Sequence, residues 1–358
     1  MLLETLTTNS HSAADLHGAA NLRSAANSHG AANLHSAANS HSAVNWNRLD
    51  DNYSKMFWDQ NVRQFWVDEE IPLADDKLSW MTLHPEEQRV FEHALGGLTL
   101  LDTEQAGAGM PMISQAVASH HARAVLGFMG AMEHMHAKSY SSIFSTLCTT
   151  QRIDEIFAWV GRDETLQQKI RFVHARYAQI TDQRTLYLAM CASVMLESYL
   201  FYSGFFYPLY LAGQGKMVNS GEIINLIIRD ESIHGVYVAT LAQDIRAQFS
   251  RDQQAALELE VIAMLRELHV LEERYTMALY TPIGMAEQAL EFVRYNADKA
   301  MMNLGLEPLF EVDAASVNAI VLAGLRTETK NHDFFSTKGN GYIKPSKIEA
   351  LRDEDFVF

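Results

Sequence analysis

Two copies of the motif Glu-x-x-His carry the residues best suited to chemistry in this chain of 358 residues. The first copy consists of Glu133 and His136, and the second consists of Glu231 and His234. Positions i and i+3 lie on one face of a helix, so each copy would supply two metal ligands from one helix. A single copy is a weak signal, because most such pairs are surface groups. Two copies suggest a shared site.

Two further acids, Asp102 and Glu197, interrupt the apolar runs GGLTLLDTEQ and SVMLESYLFYSGFF. Four carboxylates in an apolar bundle are costly unless opposite charge neutralises them. Two divalent cations carry about +4, and two imidazoles would complete their ligand shell. The order acid, Glu-x-x-His, acid, Glu-x-x-His therefore predicts a di-metal carboxylate bundle, with the bridging acids supplied by the partner helices. Iron and manganese both accept this ligand set.

A tyrosine follows the first motif by one helical turn, in the stretch GAMEHMHAKSYSSIF. At about 100° per residue, Tyr140 returns to within roughly 20° of Glu133 around the helix. A phenol, a carboxylate and an imidazole thus share one face. His134 points away from that face, and we expect it not to be a ligand.

The elements that must position these residues are long helices. Pro85 and two acids mark the start of one helix, and another covers HHARAVLGFMGAMEHMHAKSYSSIFSTL. No alternating polar and apolar run indicates a sheet. The pattern predicts an all-α protein, a ferritin-like di-metal carboxylate bundle with additional helices. Later helices are expected at about 182–213, 219–248, 252–281 and 285–304.

Low-complexity sequence surrounds this helical part. Residues 11–46 form six consecutive hexads, such as HGAANL and HSAANS. A histidine-rich metal-binding array or a short β-solenoid is one interpretation. A period of six fits neither helix nor strand, so a disordered leader is favoured. We predict a leader over 1–46, a folded domain over 47–324 and a flexible acidic tail over 325–358.

Composition excludes several functions. A net charge of −16 argues against nucleic acid and against an anionic membrane surface as partners. Cys148 and Cys191 lie in apolar surroundings, which suits a reducing cytoplasm, and the start of the chain lacks the pattern of a secretory signal. The stretch 186–213 is long enough to span a membrane, but Glu197 in its middle favours a buried core helix.

Many stretches resemble the small, radical-generating subunit of ribonucleotide reductase, in its class Ib form. The resemblance covers about residues 44–358. The sequences that carry it are AVNWN, LTLLDT, HAKSYSSIFSTL, LESYLFYSGF, LIIRDESIHG, NADKAMMNLGLEPLF and NHDFFS.

This resemblance implies a role for each matching residue. Tyr140 would hold a stable tyrosyl radical. Trp66 and Asp230 would transfer it, with His136 linking them to the metal, and Tyr342 in the tail would continue the route. The implied metal ligands are Asp102, Glu133, His136, Glu231, His234 and Glu197.

The resemblance also implies partners. The sequence has no phosphate loop and no pair of catalytic cysteines, so a separate large catalytic subunit would reduce ribonucleoside diphosphates to deoxyribonucleotides for DNA synthesis. The terminal DEDFVF would dock on that subunit through Phe356 and Phe358. A homodimer, a dinuclear manganese (or iron) centre, a flavodoxin-like activator and a cytoplasmic location are implied as well. Phe201, Phe205 and Ile227 are candidates for an apolar wall around the radical.

Two other functions remain open on the residues alone. A ferritin-like iron storage protein would use the same ligands and would form a mineral core. A stand-alone di-metal oxidase would need a substrate channel and no partner subunit.

Overall fold

Helices are the only regular elements in the residues that the computed structural model describes, 43–325. The α-helices are α1 (Ser54–Gln64), α2 (Lys77–Thr82), α3 (Pro85–Glu104), α4 (Met110–Ala116), α5 (His120–Leu147), α6 (Thr150–Val160), α7 (Glu164–Ala178), α8 (Gln183–Met195), α9 (Phe201–Gly213), α10 (Val218–Arg246), α11 (Arg251–Tyr280), α12 (Ala286–Asn303) and α13 (Ala319–Leu325). Two π-helical turns, π1 (Gln105–Gly109) and π2 (Leu196–Leu200), join α3 to α4 and α8 to α9. Short 3₁₀ turns cover Asp68–Glu70, Leu73–Asp76, Thr281–Ile283 and Ala314–Ser316. The predicted all-α class is confirmed.

The long helices begin at residues that satisfy their free backbone N–H groups. Helix α3 starts at Pro85 and carries Glu86 and Glu87 in its first turn. The side chain of Ser119 accepts a hydrogen bond from the first turn of α5, and Asp182 does the same for α8. Such caps and acids stabilise a helix start because they offset unpaired donors and the helix dipole.

Four helical segments surround the centre of the bundle. Helix α3 packs on α5 and α9, while α10 packs on α8, α9 and α5. The contact between α3 and α9 depends on a glycine, because a Cβ atom at Gly204 would overlap the side chain of Leu98. These contacts bring the helices that carry the two Glu-x-x-His motifs against those that carry the isolated acids.

The apolar stretch 186–213, which was predicted to be a buried core helix, is buried and helical. Gln183–Gly213 is long and apolar enough to cross a membrane, yet 94% of its most apolar window is buried inside the protein. It is a core helix, which agrees with the expectation from Glu197. The continuous helix predicted over 182–213 is interrupted by π2, where one wider turn surrounds Glu197. π-Helical turns occur frequently at functional sites.

Several predictions fall outside residues 43–325. They are most of the leader predicted over 1–46, most of the tail over 325–358, Tyr342, and the docking residues Phe356 and Phe358. The domain boundaries stay predictions.

Candidate metal centre

All six predicted ligands meet in the middle of the bundle. Each of them is at most 1% exposed. Their donor atoms form two groups within which every atom lies within 4.8 Å of the others. The groups are Asp102, Glu133, His136 and Glu231, and then Glu133, Glu197, Glu231 and His234. The chain therefore offers two neighbouring sites of four ligands each.

The two glutamates of the Glu-x-x-His motifs, Glu133 and Glu231, belong to both groups. This differs from the expectation that bridging acids come from the partner helices. Asp102 and Glu197, which do come from those helices, each belong to one group only. The reason is geometric: the motifs face each other from α5 and α10, so their glutamates point into the space between the two sites.

Both histidines turn Nδ1 toward the acids. His136 Nδ1 lies 2.8 Å from Glu231 Oε1 and 3.4 Å from Asp102 Oδ1. His234 Nδ1 lies 2.7 Å from Glu133 Oε1 and 3.6 Å from Glu231 Oε2. The two imidazole rings are nearly parallel, with centroids 6.1 Å apart. The nitrogens are thus directed at the carboxylate oxygens that would share a metal ion with them.

Burial controls the ionisation of the cluster. It raises the pKa of Asp102 and of Glu197, and neighbouring carboxylates raise both further. Burial opposes ionisation of Glu133 as well, but the nearby imidazoles of His136 and His234 outweigh it and lower the pKa of Glu133. The carboxylates also raise the pKa values of His136 and His234 against the effect of burial.

The residues fit two divalent cations. Six buried carboxylate oxygens of the cluster have no hydrogen-bond partner: both of Asp102, both of Glu231, and Oε2 of Glu133 and Glu197. Buried acceptors without partners are costly, and here they converge on one space. Oxygen and imidazole donors in this number suit manganese or iron.

Tyr140 lies beside the cluster and is fully buried. Its hydroxyl has no hydrogen-bond partner among the described residues that meets geometric limits. Burial raises the pKa of Tyr140 far above its ordinary value, and the charges of Asp102, Glu231 and Glu133 add to this. The phenol therefore keeps its proton.

The three residues expected to form an apolar wall are also fully buried. They are Phe201, Phe205 and Ile227, and the rings of the two phenylalanines lie 5.7 Å apart. His134, in contrast, is exposed on α5 and belongs to neither ligand group.

A hydrogen-bonded chain links the cluster to Trp66. The indole Nε1 of Trp66 donates to Asp230 Oδ2 over 2.7 Å, and His136 Nε2 lies 3.2 Å from the same oxygen. The Trp66 and His136 rings are nearly parallel at 6.1 Å. Gln64 donates to the other oxygen of Asp230 over 2.9 Å. The structure thus brings together Trp66, Asp230 and His136.

Sequence reasoning missed Gln105, which contacts Glu197 from outside the cluster, and the two residues bonded to Gln105. Gln105 donates to Glu197 Oε1 and to Ser193 Oγ, and Tyr177 donates to Gln105. One signal was present in the sequence, because Gln105 follows Asp102 by three positions and so shares its helix face.

Comparison with known proteins identifies the family of this chain. The family model "Ribonucleotide reductase, small chain" matches residues 43–318. A ribonucleoside-diphosphate reductase subunit beta from Bacillus subtilis is 51% identical over 85% of this chain and 92% of its own length. Ribonucleoside-diphosphate reductase 2 subunit beta from Escherichia coli is 40% identical over 84% of this chain and 93% of its own length.

A solved structure is similar along most of the fold. The dimanganese(II)-NrdF of Streptococcus sanguinis superposes with a TM-score of 0.78 at 43% identity, covering 80% of this chain and 100% of that chain. These relatives are consistent with the class Ib form, and they confirm the ferritin-like bundle. The buried carboxylate and histidine cluster fits a dinuclear metal centre, and a small chain implies a large subunit as its partner. The chain belongs to the family of ribonucleotide reductase small chains, and it is a subunit of that oxidoreductase.

Proposed function

We propose that Tyr140 stores a radical that this chain generates at its metal centre and passes through His136, Asp230 and Trp66 to the large subunit. That subunit would use it to reduce ribonucleoside diphosphates. One observation carries the proposal: a fully enclosed tyrosine lies beside the ligand cluster, and a hydrogen-bonded chain leads from the same cluster to a tryptophan.

The ligands would be Asp102, Glu133, His136 and Glu231 for one ion, and Glu133, Glu197, Glu231 and His234 for the other. Two manganese or iron ions held by these ligands, once an oxygen-derived oxidant had oxidised them, would supply the oxidising power for the loss of one electron from Tyr140. The raised pKa keeps the phenol protonated beforehand, so the electron and the proton must leave together. The full burial of Tyr140 would keep water and reductants away from the radical.

The transfer route depends on the carboxylate of Asp230, which lies between Trp66 and His136. Asp230 Oδ2 accepts from Trp66 Nε1 and also faces His136 Nε2, so it sits between an electron donor and a metal ligand. Gln64 and Arg229 bind the second oxygen, which fixes the carboxylate in this orientation. A carboxylate held in this way can take up or release a proton as charge moves between the two rings. Tyr342 would continue the route.

Membership of this family also supports a proposal for the oligomeric state, the docking residues and the metal. We propose a cytoplasmic homodimer that docks on the large subunit through Phe356 and Phe358 of its tail. Manganese is the proposed metal, because a relative at 43% identity is described as dimanganese(II). A flavodoxin-like protein would then supply the oxidant.

The test is electron paramagnetic resonance after two parallel reconstitutions. One sample receives Fe(II) and oxygen, and the other receives Mn(II), a reduced flavodoxin-like protein and oxygen. A tyrosyl signal is expected, and Tyr140→Phe should abolish it with both ions still bound. Tyr187→Phe, at another fully buried tyrosine, is the matched control and should keep the signal.

An unchanged signal in Tyr140→Phe would contradict the radical assignment. If the wild-type protein binds two ions and shows no radical with either metal, the radical proposal fails and a stand-alone oxidase is favoured.

The route has its own test. Asp230→Asn should keep the Tyr140 radical, because the residue lies outside both ligand groups. Nucleotide reduction with the large subunit should fall by about 10²-fold or more, since the proton acceptor between Trp66 and His136 is gone. Wild-type turnover in this variant would remove Asp230 from the route.

A further inference from the structure

The side chain of Gln105 is fully buried, and both its amide nitrogen and its amide oxygen are hydrogen-bonded. Its amide nitrogen donates to Glu197 Oε1 and, over 2.7 Å, to Ser193 Oγ. Its amide oxygen accepts from the hydroxyl of Tyr177 over 2.7 Å. The three contacts come from π2, α8 and α7, so one amide ties together three segments around one ligand.

The amide has only one orientation that satisfies these neighbours. The hydroxyl of Tyr177 donates to the amide oxygen of Gln105, so that oxygen is its acceptor. A buried carboxylate oxygen needs a donor. Gln105 meets both needs only with its oxygen toward Tyr177 and its nitrogen toward Glu197.

Packing holds the amide in place as well. A Cβ atom at Gly109 would overlap the amide oxygen of Gln105 and press on the ring of Tyr177. Glycine at this position of π1 therefore leaves the space that the amide fills.

We propose that Gln105 is a positioning residue for Glu197, holding Oε1 so that Oε2 alone is directed at the ion bound by Glu133, Glu231 and His234. Glu197 Oε2 is buried without a hydrogen-bond partner, as expected for an atom kept for a cation. The inference rests on the ligand set proposed above.

The contact between Gln105 and Glu197 should affect only one of the two ions. Glu197 belongs to one ligand group only. Gln105 has no hydrogen bond to a ligand of the other group. Loss of Gln105 should therefore weaken one ion and spare the other. A role limited to bundle stability would weaken both.

The experiment is a titration of the metal-free, full-length protein with Mn(II), in which unbound Mn(II) is counted by its electron paramagnetic resonance signal. The wild-type protein should bind two ions per chain. In Gln105→Leu, one ion should bind as in the wild type and the other about 10- to 100-fold more weakly, the usual effect of removing a group that orients a ligand. Tyr177→Phe should weaken the same ion by about tenfold or less, because the amide loses only its orientation.

Gln88→Leu is the matched control. It makes the same substitution in α3, where the amide of Gln88 binds the backbone oxygen of Trp80 away from the site. It should bind both ions as the wild type does. Thermal unfolding of each metal-free variant shows that it is folded, and Tyr177→Phe decides the question if Gln105→Leu does not fold.

Equal weakening of both ions, or no weakening in either variant, would overturn the proposal. A wild-type protein that binds fewer than two ions would overturn the ligand set itself. That result is distinguishable, because it appears before any variant is made.

Discussion

Two groups of fully buried charges lie in this bundle, and they are balanced in opposite ways. Lys169 Nζ of α7 lies 2.7 Å from Glu272 Oε2 of α11, and neither side chain is exposed. The same ammonium lies 3.8 Å from the centre of the Tyr275 ring, and Thr276 donates to the other oxygen of Glu272. Every charge there has a partner within the chain.

The metal cluster, in contrast, holds more carboxylate oxygens than the chain has donors for. Six of them accept no hydrogen bond from the described residues, and the two nearby imidazoles cannot balance four carboxylates. A buried charge that is paired within the chain stabilises the folded structure without a ligand. Buried carboxylates that lack donors need cations from outside the chain, so they mark a binding site. The comparison gives a criterion for separating structural from functional buried charge in this protein: whether the acceptors are satisfied.

Removing a ligand that belongs to both groups should have the largest effect on metal binding. Glu231→Ala takes away a donor from both groups, so we expect loss of both ions and of the Tyr140 radical. Glu197→Ala should still bind one ion. Metal content per chain after desalting measures both outcomes, and retention of two ions in Glu231→Ala would reject its place in the two groups.

Breaking the ion pair between Lys169 and Glu272 should lower stability and leave metal binding unchanged. Lys169→Met leaves Glu272 as a buried charge without its cation, and the free energy of unfolding of the metal-free protein should fall by about 3–5 kcal/mol. Metal stoichiometry in the folded protein should stay at two ions per chain. Denaturant unfolding measures the first effect.

The double variant Lys169→Met with Glu272→Leu is the control for the missing partner. It should recover most of the stability, because an apolar pair of similar volume replaces the ion pair. A double variant as unstable as the single one would show that packing, rather than charge, dominates there.

The smallest expected effect concerns a partly buried imidazole outside both groups. His93 stacks on Trp159 at 3.7 Å, and burial lowers its pKa from 6.5 to about 4, helped by Arg89 and Arg152. Between these pH values the unfolded chain binds the proton and the folded chain does not, so stability falls as the pH drops from about 6.5 toward 4.

His93→Phe should remove this part of the acid destabilisation while keeping the stack on Trp159. The midpoint of denaturant unfolding at pH values on either side of the window tests it. An identical pH dependence in the variant and the wild type would show that His93 does not contribute.

The helices and the ligands could be predicted from the sequence because both depend on short-range spacing. The bounds of α5, His120–Leu147, follow from its capping serine and its periodicity. The four acids and two histidines were found because a charge in an apolar helix must be neutralised. Which acids are shared was not predictable, since it depends on how α5 and α10 face each other.

The π-helical turns and the contacts of Gln105 have no comparable signal. A π turn adds one residue to a helical turn without changing composition or apolar period, so π2 around Glu197 reads as ordinary helix. Tyr177 is separated from Gln105 by 72 positions, and Trp66 from Asp230 by 164. Pairings at that distance are set by the packed bundle. Trp66 and Asp230 were predicted only through resemblance.

The origin of the ligands in four separate helical segments has a consequence for the lifetime of the protein. Ions that bind only the folded chain stabilise it by mass action, by about 2.7 kcal/mol for each site when the free ion is at a hundredfold excess over its Kd. The metal-free chain opens more often and is correspondingly more exposed to proteases. Scarcity of the metal in a cell would then lower the abundance of this subunit as well as the fraction that carries a radical.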